Sequence, residues 1–163
     1  MAIEVVPYDS KKVRDAIKFW NEVVREGIAF PQEDELNEMT GDEFFKAQSF
    51  TGLAVDDGGE ILALYILHPN NVGRCGHISN ASYAVRSDLR GRHIGELIVK
   101  DCIERAKKLG FRILQFNAVV ATNIHARHLY RRLGFKELGT IPGGFRMPDG
   151  SFEDIVPQFI DLT

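Results

Sequence analysis

Only two cysteines, Cys75 and Cys102, occur among the 163 residues, too few for a disulfide framework. Neither has a second Cys at metal-ligand spacing, so the chain reads as one for a reducing, cytoplasmic compartment. No His or carboxylate pair has a convincing ligand pattern, and no metal is expected. Long apolar runs are also missing. The longest strongly apolar stretch is Ile61 to Leu67, far short of the ~20 residues that cross a bilayer, so no membrane partner is expected. Met1 to Ser10 carries Glu4 and Asp9 and no long apolar run, unlike a signal peptide. Charge of one sign is lacking too. A net charge of −3 gives no bulk attraction for nucleic acid. There is no repeat, low-complexity tract or linker, and a single domain over residues 1–163 is expected. The chain is long enough for a full core, and 44% hydrophobic with 26% charged residues suits a soluble globular protein. The sequence does not reveal the oligomeric state, and a homodimer is left open.

What is present is an alternation of strand and helix signals. Ile3 to Val6 reads as a first strand. Ser10 is placed to cap a helix whose Val13, Ile17, Trp20, Val23 and Val24 share one face, and Gly27 is a stop. Thr40 with Glu43 resembles a capping box for a second short helix. Phe50 to Val55 and Ile61 to His68 flank Asp56-Asp57-Gly58-Gly59, a hairpin signal. Ile78 to Val85 reads as another strand. Ile94, Leu97, Ile98, Cys102, Ala106 and Leu109 mark one face of a long helix closed by Gly110. The apolar run from Phe111 to Val120 predicts a strand buried on both faces. Asn123 can cap a helix carrying Ala126, Leu129, Tyr130 and Leu133 on one face, with Gly134 closing it. Phe135 to Ile141 and Phe152 to Leu162 are the last predicted strands. The pattern is that of an α/β chain with a mixed sheet.

The most informative segment runs from Val85 to Gly95. A strand ends, a polar loop with Arg90, Gly91 and Arg92 follows, and a helix begins at about Gly95. The first N–H groups of a helix lack intrahelical partners, and the helix dipole favours negative charge there. The segment therefore forms a candidate pyrophosphate cradle, with glycines for close backbone approach and arginines for charge. A P-loop is excluded because the Lys-Ser/Thr pair is missing, and a Rossmann fingerprint because a third glycine is. The competing reading is a tight strand-to-helix turn with solvated arginines.

Arg90-Gly91-Arg92-His93-Ile94-Gly95 resembles the Gln/Arg-x-x-Gly-x-Gly/Ala signature of GCN5-related N-acetyltransferases (GNATs). Asn123 to Phe135 resembles the same family's Asn-x-x-Ala-x-x-Leu-Tyr-x-x-x-Gly-Phe, which is much more specific. The resemblance covers about Phe50 to Thr163. It implies the GNAT fold: a mostly antiparallel central sheet of about seven strands, splayed between strands 4 and 5 by a bulge, with about four helices. One position departs. His93 stands where the signature has its first glycine, and it fits there if its φ is negative. Arg74 to Tyr83 and Phe116 to Asn123 further resemble fungal acetyltransferases acting on proline analogues such as azetidine-2-carboxylate.

The resemblance implies acetyl-CoA as co-substrate and an amine as acceptor, attacked directly in a ternary complex. Acetyl-CoA would pair with the backbone of Ala84 and Val85 and sit on Arg90, Gly91, Arg92, His93, Ile94 and Gly95. The Val85 N–H would receive the oxyanion. Asn123 and Tyr130, seven residues apart, share a helix face ~10 Å apart along the axis. Asn123 would hold the pantetheine arm, and Tyr130 would protonate the leaving thiolate. Asn123 also reads as a plain cap, and Tyr130 as a core aromatic. Asn80 and Asn117 would line the acceptor pocket, against a reading as hydrogen-bonded structural amides. Arg74 could pair a substrate carboxylate. His77, with an ordinary pKa near neutrality, is the candidate base. Arg127, Arg131, Arg132 and Lys136 form a basic cluster suited to the CoA 3′-phosphate or simply to solubility. The leading expectation is N-acetylation of a small molecule, an amino acid or analogue. A protein N-terminus or lysine is the first alternative, and a non-catalytic acyl-CoA-binding module the second.

Overall fold

The computed structural model describes residues 2–89 and 93–163. Arg90, Gly91 and Arg92, three of the expected phosphate-loop residues, lie outside the described residues.

The chain begins with β1 (Glu4–Pro7) and then a single 3-10 turn, Ser10–Lys12. The Asp9 carboxylate, and not Ser10, caps that turn by accepting the Lys11 N–H. Helix α1 (Val13–Glu26) buries Ala16, Phe19, Trp20, Val23 and Val24. It ends where Gly27 turns left-handed at φ 70° and its N–H returns to the Val23 carbonyl, a conformation glycine adopts without a Cβ clash. Helix α2 (Glu38–Ala47) starts one turn earlier than Thr40 suggests. Asn37 is its cap, and the Asn37 and Thr40 side chains exchange hydrogen bonds with each other's backbone N–H. The reciprocal box is therefore Asn37/Thr40, with a hydroxyl doing what a Glu usually does.

Strands β2 (Phe50–Val55) and β3 (Ile61–Pro69) form the expected hairpin. Asp56 Oδ1 accepts the N–H groups of Gly58 and Glu60, which fixes the turn. Strand β4 (Ile78–Val85) leads toward α3 (Ile94–Lys108), and α3 crosses over to β5 (Ile113–Phe116). Helix α4 (Ile124–Arg132) follows, then β6 (Lys136–Glu137), β7 (Ile141–Arg146), β8 (Phe152–Ile155) and β9 (Gln158–Asp161).

Two predicted strands are shorter than the sequence suggests. The Phe111–Val120 run is a strand only over β5. Its distal apolar residues pack differently, with Ala118 and Val120 joining Phe145 and Ile155 in a small separate cluster. The C-terminal region from Lys136 holds four strands where two were expected: β6 and β9 join the main sheet, and β7 and β8 form a separate two-stranded sheet, with Ile155 of β8 also bridging Val120.

Among the described residues the main sheet has seven strands in the order β1-β2-β3-β4-β5-β9-β6, antiparallel except for β4–β5. Its two faces carry two cores. One joins Tyr65, Leu67, Ile98, Cys102, Leu114, Phe116 and Tyr130 under α3 and α4. The other joins Trp20, Phe30, Phe45, Leu64, Ile66 and Ala84 under α1 and α2. Strand β3 feeds both, which is why Ile61 to Leu67 is apolar without alternation. Among the described residues no helix is long and apolar enough to cross a membrane.

Candidate active site

The site begins where the sheet opens. β4 and β5 pair only from Ile78↔Ile113 to Asn80↔Gln115. Beyond Gln115, β5 stays with β9 (Phe116↔Gln158) while β4 stays with β3 as far as Ala63↔Val85. Among the described residues, Ala81 to Val85 therefore have no strand partner on the β5 side. The expected bulge is not the cause, since the β3–β4 register runs without a shift from Val85 to Ser79. The opening comes from β5 leaving, not from β4 buckling.

Strand alternation decides which backbone groups face the opening. The Arg86 N–H bonds Leu62 and the Ile78 carbonyl accepts from Asn70, both across β3. The His77 carbonyl accepts from Arg112 and Ile113, toward β5. Even-numbered residues thus serve β3, and the N–H and C=O of Ala81, Tyr83 and Val85 point into the gap. The Val85 N–H, expected as the oxyanion donor, is one of those that point into the gap.

The gap is the floor of a cleft of about 1120 Å³ that passes through the plane of the sheet. On the α3/α4 side it is lined by Tyr83, Val85, Ile94, Gly95, Asn123, Leu129 and Tyr130. On the α1 side it is lined by Phe19, Glu22, Val23, Glu26, Asn80 and Ala84, with Asn117 at the end of β5. The cleft thus has two chemically different walls.

The first wall is a helix N-terminus. At the start of α3 the Leu97 N–H bonds the His93 carbonyl, and the first N–H groups of a helix have no intrahelical acceptor of their own. Glu96 is held by Arg132 and Lys100, and these cations keep its carboxyl below the usual range, led by the Arg132 hydrogen bond. His93 departs from the negative φ expected of it. At φ 61° it is the one left-handed non-glycine among the described residues. His tolerates this region better than most side chains, whereas a β-branched residue does not. His93→Val should therefore lower the melting temperature by several degrees, from a cost of about 1–2 kcal/mol, while His93→Gly should not. Equal melting of wild type and His93→Val would show that the conformation is not held.

On α4, Asn123 does cap the helix, its Oδ1 accepting the Ala126 N–H at 3.2 Å. It also lines the cleft, and Nδ2 makes no hydrogen bond among the described residues. Two turns on, Tyr130 is buried between Phe116 and Phe135, with ring centroids at 4.8 and 5.7 Å. Burial pushes its pKa above the ordinary phenol value, so it stays protonated, while a hydrogen bond from the Tyr83 hydroxyl works in the opposite direction. Tyr83 is a residue that motif reading missed. The usable signal was parity, since Tyr83 shares a strand face with Val85.

The second wall holds the two asparagines. Asn80 is 8% exposed and its Nδ2 donates to the Gln115 carbonyl at 2.9 Å, closing the last paired rung. Its Oδ1 makes no hydrogen bond within the protein among the described residues. Asn117 is exposed, not buried in a strand as expected, because β5 has ended. It is held by Asn70 at 2.7 Å and Gln115 at 3.0 Å. Glu22 and Glu26, not noticed in the sequence, line this wall and form no ion pair among the described residues.

Two expected residues are elsewhere. His77 precedes β4 and is exposed at its paired end, eight residues from Val85, or roughly 26 Å of strand. It does not line the cleft and cannot serve as its base. Arg74 lies in the exposed 3-10 turn Gly73–Cys75, also off the cleft, so it meets no acceptor there. The basic cluster is largely paired internally: Arg127 and Arg131 with Glu137, and Arg132 with Glu96. Of the four basic residues only Arg132 lines the cleft, together with its partner Glu96.

The family model for the Acetyltransferase (GNAT) family matches residues 16–135, most of the chain. The chain belongs to the GNAT family. A GCN5-related N-acetyltransferase from Kribbella flavida superposes with a TM-score of 0.88 at 30% identity, covering 98% of each chain. N-acetyltransferase aca1 of Schizosaccharomyces pombe is 33% identical over 94 residues, 58% of this chain and 45% of that protein. Protein SPT10 of Saccharomyces cerevisiae is 32% identical over 98 residues, 57% of this chain and 15% of that protein. The chain thus spans less than half the length of these curated relatives. The mixed sheet and four helices are those the resemblance implied.

Proposed function

We propose that this GNAT chain transfers an acetyl group from acetyl-CoA to the amine of a small molecule, by direct attack in a ternary complex. The observation that carries this reading is the two-walled cleft at the β4–β5 opening. Its α3/α4 wall suits the CoA thioester, with a helix N-terminus for pyrophosphate and a free strand edge for the pantetheine amides. A Cβ on Gly95 would meet only Leu129 and Val85, at 3.7 and 3.8 Å, so the glycine keeps open a space facing the helix start. Acetyl-CoA supplies the activated acyl carbon. The Val85 N–H points to where the carbonyl oxygen gains charge, and such a donor contributes ~3 kcal/mol. Tyr130, kept protonated by burial, gives its proton to sulfur as the C–S bond breaks. The α1 wall takes the acceptor, whose amine nitrogen forms the new C–N bond. The free thiols of exposed Cys75 and buried Cys102 suit a reducing compartment, and we place the protein in the cytoplasm.

An amino acid or analogue is the first acceptor class, supported by the Asn80/Asn117 pair. One observation favours a second. With Arg74 off the cleft, the acceptor wall offers the unpaired carboxylates of Glu22 and Glu26, which suit a diamine or polyamine better than a carboxylate-bearing acceptor. Thiol release measured with acetyl-CoA and a panel of amino acids, polyamines and peptides tests both. Turnover with polyamines alone would remove the amino-acid reading. Acetyl-CoA binding without thiol release for any acceptor would leave a non-catalytic module.

The asparagines face the α1 side, so they should select acceptor and not cofactor. Asn117→Ala should raise acceptor KM or lower kcat with acetyl-CoA affinity unchanged, and its exposure makes it the cleaner test. Asn80→Ala should act likewise but also strand the Gln115 carbonyl, costing about 1–3 kcal/mol of stability. Lost stability with unchanged acceptor preference and turnover per folded molecule would make both residues structural.

A further inference from the structure

Two buried phenols meet at the junction of the cleft's walls. Tyr83 comes from the unpaired stretch of β4 and Tyr130 from α4, 47 residues later. Their rings pack edge to face with centroids 5.9 Å apart, and Phe116 lies against both. The Tyr83 hydroxyl donates to the Tyr130 oxygen. A hydroxyl has one proton and two lone pairs. When Tyr83 fills one lone pair of the Tyr130 oxygen, the Tyr130 proton must point elsewhere, and both rings line the cleft.

We infer that Tyr83 is the positioning residue for Tyr130, aiming the Tyr130 O–H at the leaving sulfur and holding the phenolate left when that proton departs. This rests on the acetyl-transfer reading above. The steps balance. The neutral amine forms the C–N bond and gives up one N–H proton to water in the cleft, the C–S bond breaks, and sulfur takes the Tyr130 proton. The Tyr130 oxygen then keeps the charge while accepting from Tyr83, and recovers through that water the proton the amine released. Without this donation a buried phenolate would be costly, because burial alone disfavours the charged form. The titration directions agree. Tyr83 donation lowers the Tyr130 pKa against the rise from burial, whereas Tyr83 itself is raised well above its ordinary value by burial and by Tyr130. Tyr83 is thus the donor that stays protonated while its neighbour cycles.

The test is a double-mutant cycle with Tyr83→Phe and Tyr130→Phe, which keep both rings and hence the aromatic packing. Tyr83→Phe should lower kcat about tenfold, with KM for acetyl-CoA and acceptor within about twofold. Added to Tyr130→Phe, it should cost nothing more, because its effect passes through the Tyr130 oxygen. Wild-type kcat in Tyr83→Phe beside a slow Tyr130→Phe would overturn this inference alone. A full Tyr83→Phe loss persisting in the double variant would also overturn it, by showing that Tyr83 acts independently. Wild-type rate in Tyr130→Phe would remove the proton-donor reading and this inference together.

Discussion

Gly95→Glu should abolish acetyl-CoA binding and leave a folded protein. Gly95 is the second residue of α3, and a Cβ there meets Leu129 and Val85 only at ordinary contact distance. Its backbone is not left-handed, so a side chain brings no strain. A carboxylate in a helix's first turn even favours the helix, by about 0.3–1 kcal/mol. Folding therefore has no reason to fail. Binding has two. The new side chain fills the space between Leu129 and Val85 that opens on the cleft, and its charge competes for the N–H groups that would receive the pyrophosphate. Two like charges ~4 Å apart at the effective dielectric near a protein surface repel by about 4 kcal/mol, close to a thousandfold in Kd before bulk is counted. Gly95→Ala adds neither charge nor clash and should bind nearly as wild type. Calorimetry with protein shown to be folded by circular dichroism separates the cases. Unchanged affinity in Gly95→Glu would place the pyrophosphate elsewhere.

Local chemistry was the legible part of this sequence. The buried face of α1, the Gly27 and Gly110 stops and the Asp56 hairpin all follow from interactions spanning a few residues, and the structure has them. What failed depends on partners far along the chain. Phe111 to Val120 is a mostly apolar run, but the strand stops at Phe116, and beyond it Val119 to Ala121 bond the segment around Ile155 instead of β4 or β9. Burial continues past that point against Ile155 and Phe145, and apolarity alone does not distinguish the two. His77 turns out to precede β4 at its paired end, away from the opening, since nothing local says where a sheet opens. The arginines of α4 looked like a free basic surface because Glu137 and Glu96, which neutralise them, are distant or on another helix. The α3 helix start, Asn123 and Tyr130 were singled out because the family motifs mark them. Tyr83 ends the segment that resembles the fungal enzymes but received no role there, and its meeting with Tyr130 is purely tertiary.

Tyr130→Phe should lower kcat about a hundredfold, the usual range for losing a general acid. The ring would keep its contacts with Phe116 and Phe135, and only the hydroxyl would go. That hydroxyl has little to bind before reaction, because a thioester sulfur is a weak acceptor. Its full value arises when negative charge reaches sulfur as the C–S bond breaks. An interaction made only then lowers kcat and kcat/KM together and leaves KM nearly constant. A structural role predicts another pattern. The lost hydroxyl would leave the Tyr83 proton without its acceptor in a buried setting, costing stability of about 1–3 kcal/mol but not turnover per folded molecule. Melting curves and active-site concentrations measured alongside kcat therefore tell the two apart. Burial adds a pH signature. Because the Tyr130 pKa is raised above that of an ordinary phenol, the proton stays on oxygen throughout the neutral and mildly alkaline range. The wild-type rate should thus not fall through loss of this proton as pH rises from 7 to 9. A variant that turned over at the wild-type rate would leave the thiolate to be protonated by water and reduce Tyr130 to a packing residue.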